Sequence, residues 1–174
     1  MNSHPELQPI APEAKSRAGN ASVMVLAYGN TLRQDDGVAR AAAAEIECLE
    51  LPSVQVISCD LLLPELADQV SSVKQVIFVD AVADATRRAQ IEEVKPAHSS
   101  QLMAHQASPG IILALARDVF GHCPSASLVT IPASDFGIGE ELSETARRGM
   151  KEALDLILEQ ITRFQPAPCG RADK

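Results

Sequence analysis

Four short, predominantly apolar runs of residues constrain the fold of this 174-residue chain more than any other feature of the sequence. A strand with one solvated face alternates apolar and polar residues, whereas a strand buried on both faces is apolar throughout. Stretches with helical periodicity separate the runs, so helices are expected on both faces of the sheet. The runs lie at residues 22–28, 54–58, 75–79 and 127–131, with a weaker edge strand at 90–94. The sequence therefore predicts a three-layer α/β/α sandwich with a mostly parallel, about five-stranded twisted sheet.

The helix signals between these runs are local and clear. Ser108 and Pro109 form a good N-cap and first-turn pair, and Gly121 is suited to end the helix that they begin. In the last third of the chain, apolar residues recur every three or four positions and form one stripe that faces a core. The predicted helices span residues 36–49, 64–72, 110–120 and 143–164.

The domain organisation follows from where periodicity begins and ends. Residues 1–20 are polar, rich in proline and without periodicity, so they are predicted to be a mobile N-terminal tail. Residues 165–174 have the same character and are predicted to be a C-terminal tail. The segment between them, residues 21–164, is expected to form a single α/β domain.

Charge and composition exclude several classes of function. The net charge of -8, the pI of about 4.9 and the aromatic content of 3% argue against binding nucleic acid or an anionic membrane. No apolar run approaches the roughly 20 residues that cross a bilayer. The amino terminus lacks a signal-peptide pattern, and the cysteines show neither metal-site nor disulfide spacing, so we expect a cytoplasmic protein. The four cysteines are Cys48, Cys59, Cys123 and Cys169.

Acidic residues and a histidine follow the predicted strands. Asp35 and Asp36 follow the first strand, Asp80 ends the third, and His105 precedes the next helix. Because ligands bind at the carboxyl ends of parallel strands, loops at one edge of the sheet are expected to bring these side chains together. Two carboxylates and an imidazole, with coordination positions left open, suit a divalent transition metal.

Each of these residues also has a simpler structural interpretation. Asp36 is a candidate N-cap of the alanine-rich helix, where the helix dipole favours a carboxylate. Asp80 is placed where a carboxylate could accept hydrogen bonds from loop amides. His105 fits an ordinary loop histidine, and His98 in the same polar loop is a weaker candidate for an assisting role.

Four sequence motifs follow one another over residues 23–164. They are Gly29-Asn30 with Asp35-Asp36-Gly37, the strand VIFVDA with Asp80, the loop HQASP with His105, and the segment LVTIPASDFGIGEELS. In this order they resemble the hydrogenase maturation proteases, which trim the C-terminal extension from the large subunit of nickel–iron hydrogenases. One departure is the turn Pro64-Glu65-Leu66, which stands where many relatives have a glycine-rich or histidine-containing turn.

The resemblance implies a specific endopeptidase whose partner is the C-terminal region of a hydrogenase large subunit after nickel insertion. It implies that Asp36, Asp80 and His105 are both the metal-binding and the catalytic residues, acting on nickel supplied by the substrate. No tightly bound cofactor is expected, and we expect a cytoplasmic monomer. A water molecule polarised by metal, with a carboxylate as base, fits these residues better than Cys59 as a nucleophile.

Two other functions remain open from the sequence. A phosphoacceptor receiver domain also has an acidic pair after its first strand and an aspartate after its third, which here are Asp35, Asp36 and Asp80. Such a domain binds magnesium and needs a lysine after its last strand, and the segment LVTIPASDFG has none. A non-catalytic chaperone that binds the nickel-loaded large subunit is the other alternative.

Overall fold

A computed structural model describes residues 21–97 and 107–164 of the chain. The two predicted tails, residues 1–20 and 165–174, lie outside the described residues, as does the segment 98–106 with His98 and His105. Within the described part, no helix is both long enough and apolar enough to span a membrane.

Five strands and four α-helices make up the part of the chain that the structure describes. The strands are β1 (Val23–Tyr28), β2 (Val54–Cys59), β3 (Gln75–Val82), β4 (Gln90–Glu93) and β5 (Ser125–Pro132). The helices are α1 (Val38–Cys48), α2 (Leu66–Ser71), α3 (Pro109–Phe120) and α4 (Glu144–Phe164).

The strands form one sheet in the order β2-β1-β3-β5-β4. All neighbouring strands are parallel except β4, which lies antiparallel to β5 at the edge. The predicted α/β sandwich with a mostly parallel five-stranded sheet is therefore confirmed, and so is the weaker strand at its edge.

Alternate residues of each buried strand pack on opposite faces of the sheet. In β1, Val23 and Val25 belong to the apolar cluster that α1 and α4 cover, whereas Met24 and Leu26 belong to the cluster that α2 and α3 cover. Each of these β1 side chains is fully buried. Covering helices on both faces explain why the central strands are apolar throughout.

The ends of two elements differ from the sequence prediction. The segment Gln34–Gly37 forms a 3-10 helix, and α1 begins only at Val38, two residues later than predicted. Strand β3 continues through Val82 because β5 is also longer than predicted and pairs with it along its whole length. Asp80 therefore lies within a strand, paired with Thr130, and not in a loop.

The predicted capping residues of α3 lie where they were expected, whereas the start of α2 differs from the prediction. Ser108 is the extended N-cap of α3 but makes no side-chain capping bond, while Gly121 ends the helix with a φ of 76°. Ser143 caps α4, because its Oγ accepts a hydrogen bond from the amide of Ala146 at 3.1 Å. The short helix α2 begins at Leu66, so Pro64 lies in the turn before it.

Candidate functional site

The sheet order has its switch point between β1 and β3, and the crevice is the region beyond the carboxyl ends of these two strands. The chain leaves β1 for β2 on one side and returns to β3 on the other, and ligands bind at such reversals, beyond the carboxyl ends of the strands. The last β1–β3 pair is Ala27 with Val79, so Asp80 lies one residue past that pair, level with Tyr28 at the end of β1. The 3-10 helix that contains Asp36 follows β1 at the same edge.

Asp36 is held in this crevice by the turn that precedes it. Its Oδ2 accepts a hydrogen bond from the amide of Asn30 at 2.9 Å. Gly29 has a φ of 142°, and a Cβ there would lie 2.0 Å from the Asp36 carbonyl oxygen. A Cβ at Gly37 would lie 2.9 Å from the Cα of Thr31. Both glycines of the motif are therefore required by close approach of the backbone around Asp36.

The N-cap interpretation of Asp36 is wrong. The N-cap of α1 is Gly37, which has no side-chain capping bond. Because the intervening residues form a 3-10 helix, the Asp36 carboxylate turns back to Asn30 at the end of β1. The half-buried carboxylate is thus positioned by the strand end rather than by the helix that follows it.

Asp80 is half-buried beside a tyrosine that the sequence analysis did not select. The Tyr28 hydroxyl donates a hydrogen bond to the Asp80 carboxylate, and the Ala81 amide donates another to Oδ1 at 2.8 Å. Burial raises the pKa of Asp80, these two hydrogen bonds lower it, and the negative charge of Asp36 raises it. The pKa remains above the usual aspartate range, because burial outweighs the hydrogen bonds.

Tyr28 is the last residue of β1 and the chain's only tyrosine. Burial is the largest cause of its raised pKa. The charge of Asp80, the hydrogen bond to Asp80 and the charge of Cys59 raise the pKa further. The phenol therefore stays protonated and acts as a donor. A polar tip at the end of an otherwise apolar strand was the one signal in the sequence that could have identified it.

Asp35 has a different role from its neighbour. Its fully buried carboxylate accepts hydrogen bonds from the amides of Ser134 at 2.8 Å, Asp135 at 3.0 Å and Ser143 at 2.7 Å. The Ser143 hydroxyl donates a fourth at 2.7 Å. Burial alone would raise the pKa of Asp35, but these donors outweigh it and hold the pKa below the usual range. Asp35 thus joins the segments before α1 and α4 and does not face Asp80.

The described residues supply only part of the predicted metal set. Among them, no three His, Cys, Asp or Glu side chains are grouped closely enough to hold a metal ion. Asp36 and Asp80 are near enough for the charge of one to raise the pKa of the other. His105 and His98 lie outside the described residues.

Cys59 does not have the environment of a nucleophilic cysteine. Burial raises the pKa of its thiol, the nearby Arg40 guanidinium lowers it less, and the Asp60 carboxylate raises it. Arg40 instead forms an ion pair with Asp60. The thiol donates to the carbonyl oxygen of Ala27 at 3.8 Å. A protonated thiol is a poor nucleophile, so the geometry agrees with the preference for carboxylate chemistry.

Comparison with known proteins gives structural matches only. No family model and no curated protein sequence matches the chain. The hydrogenase maturating endopeptidase HybD from E. coli matches with a TM-score of 0.63 and 19% identity, over 81% of this chain and 92% of that one. The maturation protease HycI from Thermococcus kodakarensis matches with a TM-score of 0.63 and 20% identity, over 83% of this chain and 95% of that one. HybD from Thermococcus kodakarensis matches with a TM-score of 0.60 and 18% identity, over 79% of this chain and 97% of that one.

The chain has the fold of the hydrogenase maturation proteases. The resemblance noted in the motifs is thereby confirmed for the architecture, over about four-fifths of the chain. At about one-fifth sequence identity the similarity shows the fold alone. The activity has to be argued from the residues that this chain places in the crevice.

Replacing Asp35 by alanine should lower the free energy of unfolding by about 3 kcal/mol. Each hydrogen bond to a charged group contributes about 1.5–3 kcal/mol, and water that enters the site offsets much of the sum for the four bonds. The loss should be measured by urea unfolding, with Asp155→Ala on the exposed side of α4 as control. Since the pKa of Asp35 is lowered by folding, its contribution is present above about pH 4 and lost as pH falls through the folded value. A difference that did not shrink in acid would contradict this assignment.

Replacing Tyr28 by phenylalanine should raise the pKa of Asp80 further. The hydrogen bond from the phenol favours the charged carboxylate, and its removal leaves burial and the Asp36 charge less opposed. Carbon-detected NMR titration of the Asp80 carboxyl group measures the shift directly. The Glu152 carboxyl group, which lies on α4, is the internal control in both proteins. An unchanged or lowered Asp80 pKa would show that Tyr28 does not act on Asp80.

Proposed function

We propose that this protein is an endopeptidase that removes the C-terminal extension of a nickel–iron hydrogenase large subunit after nickel insertion. The observation that supports it most is the pair Asp36 and Asp80 in the β1–β3 crevice of a hydrogenase maturation protease fold. The proposed partner is the C-terminal region of that subunit. The enzyme acts as a monomer in the cytoplasm, with no nucleic acid or membrane as partner.

The electrostatics of the crevice favour an incoming cation. Two carboxylates repel each other in a half-buried position, and a divalent ion between them would relieve that repulsion. Two carboxylate oxygens are an incomplete set for nickel, which prefers nitrogen and sulfur ligands as well. His105 is proposed as the third ligand from this chain, and thiolates of the substrate hold the nickel. The nickel belongs to the substrate and reports that its insertion is complete.

The same carboxylates suit hydrolysis of a peptide bond. The oxygen of a water molecule attacks the carbonyl carbon of the scissile bond, and a carboxylate accepts the proton that water loses. The proton then passes to the amide nitrogen, which leaves as an amine when its bond to carbon breaks. Asp80 suits this role, because a raised pKa lets a carboxyl group hold a proton and release it.

The sheet order argues against the receiver-domain alternative. The flavodoxin-like sheet of receiver domains has the order 2-1-3-4-5. Here β5 lies next to β3, and β4 is an antiparallel edge strand. The chaperone alternative would use the same crevice without hydrolysis, so measurement of the substrate's mass decides between it and the protease.

Replacing Asp36 by asparagine should lower the cleavage rate at least 100-fold and leave the fold intact. The asparagine side-chain oxygen can still accept the hydrogen bond from Asn30, but the amide is a weak metal ligand and no base. Mass spectrometry of the large subunit, taken over time, follows the loss of the extension. Asp155→Asn, on the exposed side of α4, controls for a charge change away from the crevice. Normal processing by the Asp36 variant would exclude Asp36 as a ligand or base.

Cleavage should depend on nickel in the substrate and not on metal retained by the enzyme. Chelator-washed enzyme should cut the nickel-loaded subunit and leave the nickel-free subunit intact for the same period, by mass spectrometry. Cleavage should also weaken as pH falls, because protonation of Asp80, whose pKa is raised, removes a ligand. Equal cutting of both substrates would contradict the proposal. Stable binding of the loaded subunit without any mass change would identify a chaperone.

A further inference from the structure

Two large exposed apolar residues lie in neighbouring loops at the edge of the sheet that holds the crevice. Ile138 is 96% exposed and Leu32 is 59% exposed. Leu32 lies in the β1–α1 loop, residues 29–37, and Ile138 in the β5–α4 loop, residues 133–143. A parallel bridge pairs Arg33 with Gly139, so the residues before them, Leu32 and Ile138, are neighbours across the two loops.

The backbone holds this apolar pair in place. The Gly139 amide donates to the Leu32 carbonyl at 3.0 Å, and the Gln34 amide donates to the Gly139 carbonyl at 2.8 Å. Gln34 has a φ of 47°, a costly value for a residue with a side chain. That side chain packs against Gly137 and Gly139, where a Cβ would lie 3.1 and 3.3 Å from its atoms. Two loops joined this way have little backbone conformational freedom left to lose on binding.

The apolar pair is connected to the candidate catalytic residue by two consecutive hydrogen bonds. The Asn30 side chain accepts from the Leu32 amide at 2.9 Å, and the Asn30 amide donates to the Asp36 carboxylate at 2.9 Å. A segment bound on Leu32 and Ile138 would therefore be positioned relative to Asp36 by one turn of the chain.

The two loops that carry the pair are negatively charged overall. Glu140 and Glu141 follow Ile138, are exposed, and form no ion pair with another described residue. Arg33 is the only basic residue in the two loop sequences, and its guanidinium donates to the Phe136 carbonyl oxygen at 3.2 Å. A partner that covers the pair has the best electrostatic complementarity if it places basic groups opposite these glutamates.

A second copy of this chain fits the surface poorly. In a two-fold dimer the same patch faces itself, so Glu140 and Glu141 would approach their own copies. Two exposed apolar side chains also fall far short of the roughly 1,200 Å² that a stable interface buries. A short peptide segment needs less area and has no such symmetry.

We infer that Leu32 and Ile138 form a docking surface for a substrate segment that combines an apolar side chain with neighbouring basic residues. The inference rests on the proposed function and deepens it, since it states how the C-terminal region of the large subunit is recognised. Docking there delivers the scissile bond to the crevice with Asp36 and Asp80. The recognition is separate from the metal, because neither apolar residue is a ligand.

The test uses the full chain and the nickel-loaded large-subunit precursor of the hydrogenase encoded in the same genome. Leu32→Ser and Ile138→Ser should each raise KM about tenfold with kcat unchanged, because they remove binding that is equal in the ground and transition states. Leu49→Ser and Val119→Ser are the matched controls, since these side chains are 52% and 65% exposed. Leu49 directly follows α1 and Val119 lies near the end of α3, both away from the two loops. Replacing Glu140 and Glu141 by lysine should also raise KM, and replacing Glu45 and Glu47 should not.

Each outcome bears on one of the two claims. Cleavage by the wild-type chain tests the proposed function, and direct binding of the precursor, measured for every variant, tests the docking surface. Unchanged KM and binding in the Leu32 and Ile138 variants would overturn the docking surface and leave the protease standing. Binding that weakens only in those variants, without cleavage by the wild type, would support docking and overturn the protease. Absence of precursor binding, or wild-type dimers that Ile138→Ser dissociates in sedimentation, would also overturn this assignment of the surface.

Discussion

The buried Asp35 carboxylate is the interaction on which the arrangement of the crevice depends. It accepts four hydrogen bonds from residues about 100 positions later in the chain, including both the amide and the hydroxyl of Ser143. A carboxylate can be buried in this way only because donors replace its hydration on every side. The result is a joint between the loop that follows β1 and the loop that follows β5.

That joint determines where the neighbouring residues point. With Asp35 turned towards the β5–α4 loop, the next carboxylate, Asp36, faces the end of β1 and its partner Asn30. Ser143, held by Asp35, caps the first turn of α4 through Ala146. The backbone bridge between Arg33 and Gly139 lies on the other side of the same joint. One carboxylate therefore organises a helix start, a candidate catalytic residue and an exposed apolar pair.

Burial beside a second carboxylate raises the pKa of Asp80. The residue lies in a strand whose apolar neighbours leave it half-buried, and the charge of Asp36 acts on it across the crevice. The Tyr28 phenol offsets part of that effect by donating a hydrogen bond. The balance keeps the pKa raised, which suits both attraction of a cation and transfer of a proton. Neither property belongs to an exposed aspartate.

The sequence alone determined the layers of this protein and the edge of the sheet where its candidate site lies. Apolar runs such as 75–79 and the glycines around Asp36 act through local physics, because strand burial and close backbone approach limit which residues are allowed. The resemblance in the motifs implied the same fold, and it implied that Asp36 rather than Asp35 is the site residue. Only the tertiary structure showed why the two adjacent aspartates differ, that Tyr28 donates to Asp80, and that Leu32 stands beside Ile138. These contacts join residues that are about 50 to 110 positions apart, so no local pattern specifies them, and they form only when the strands pair in one order.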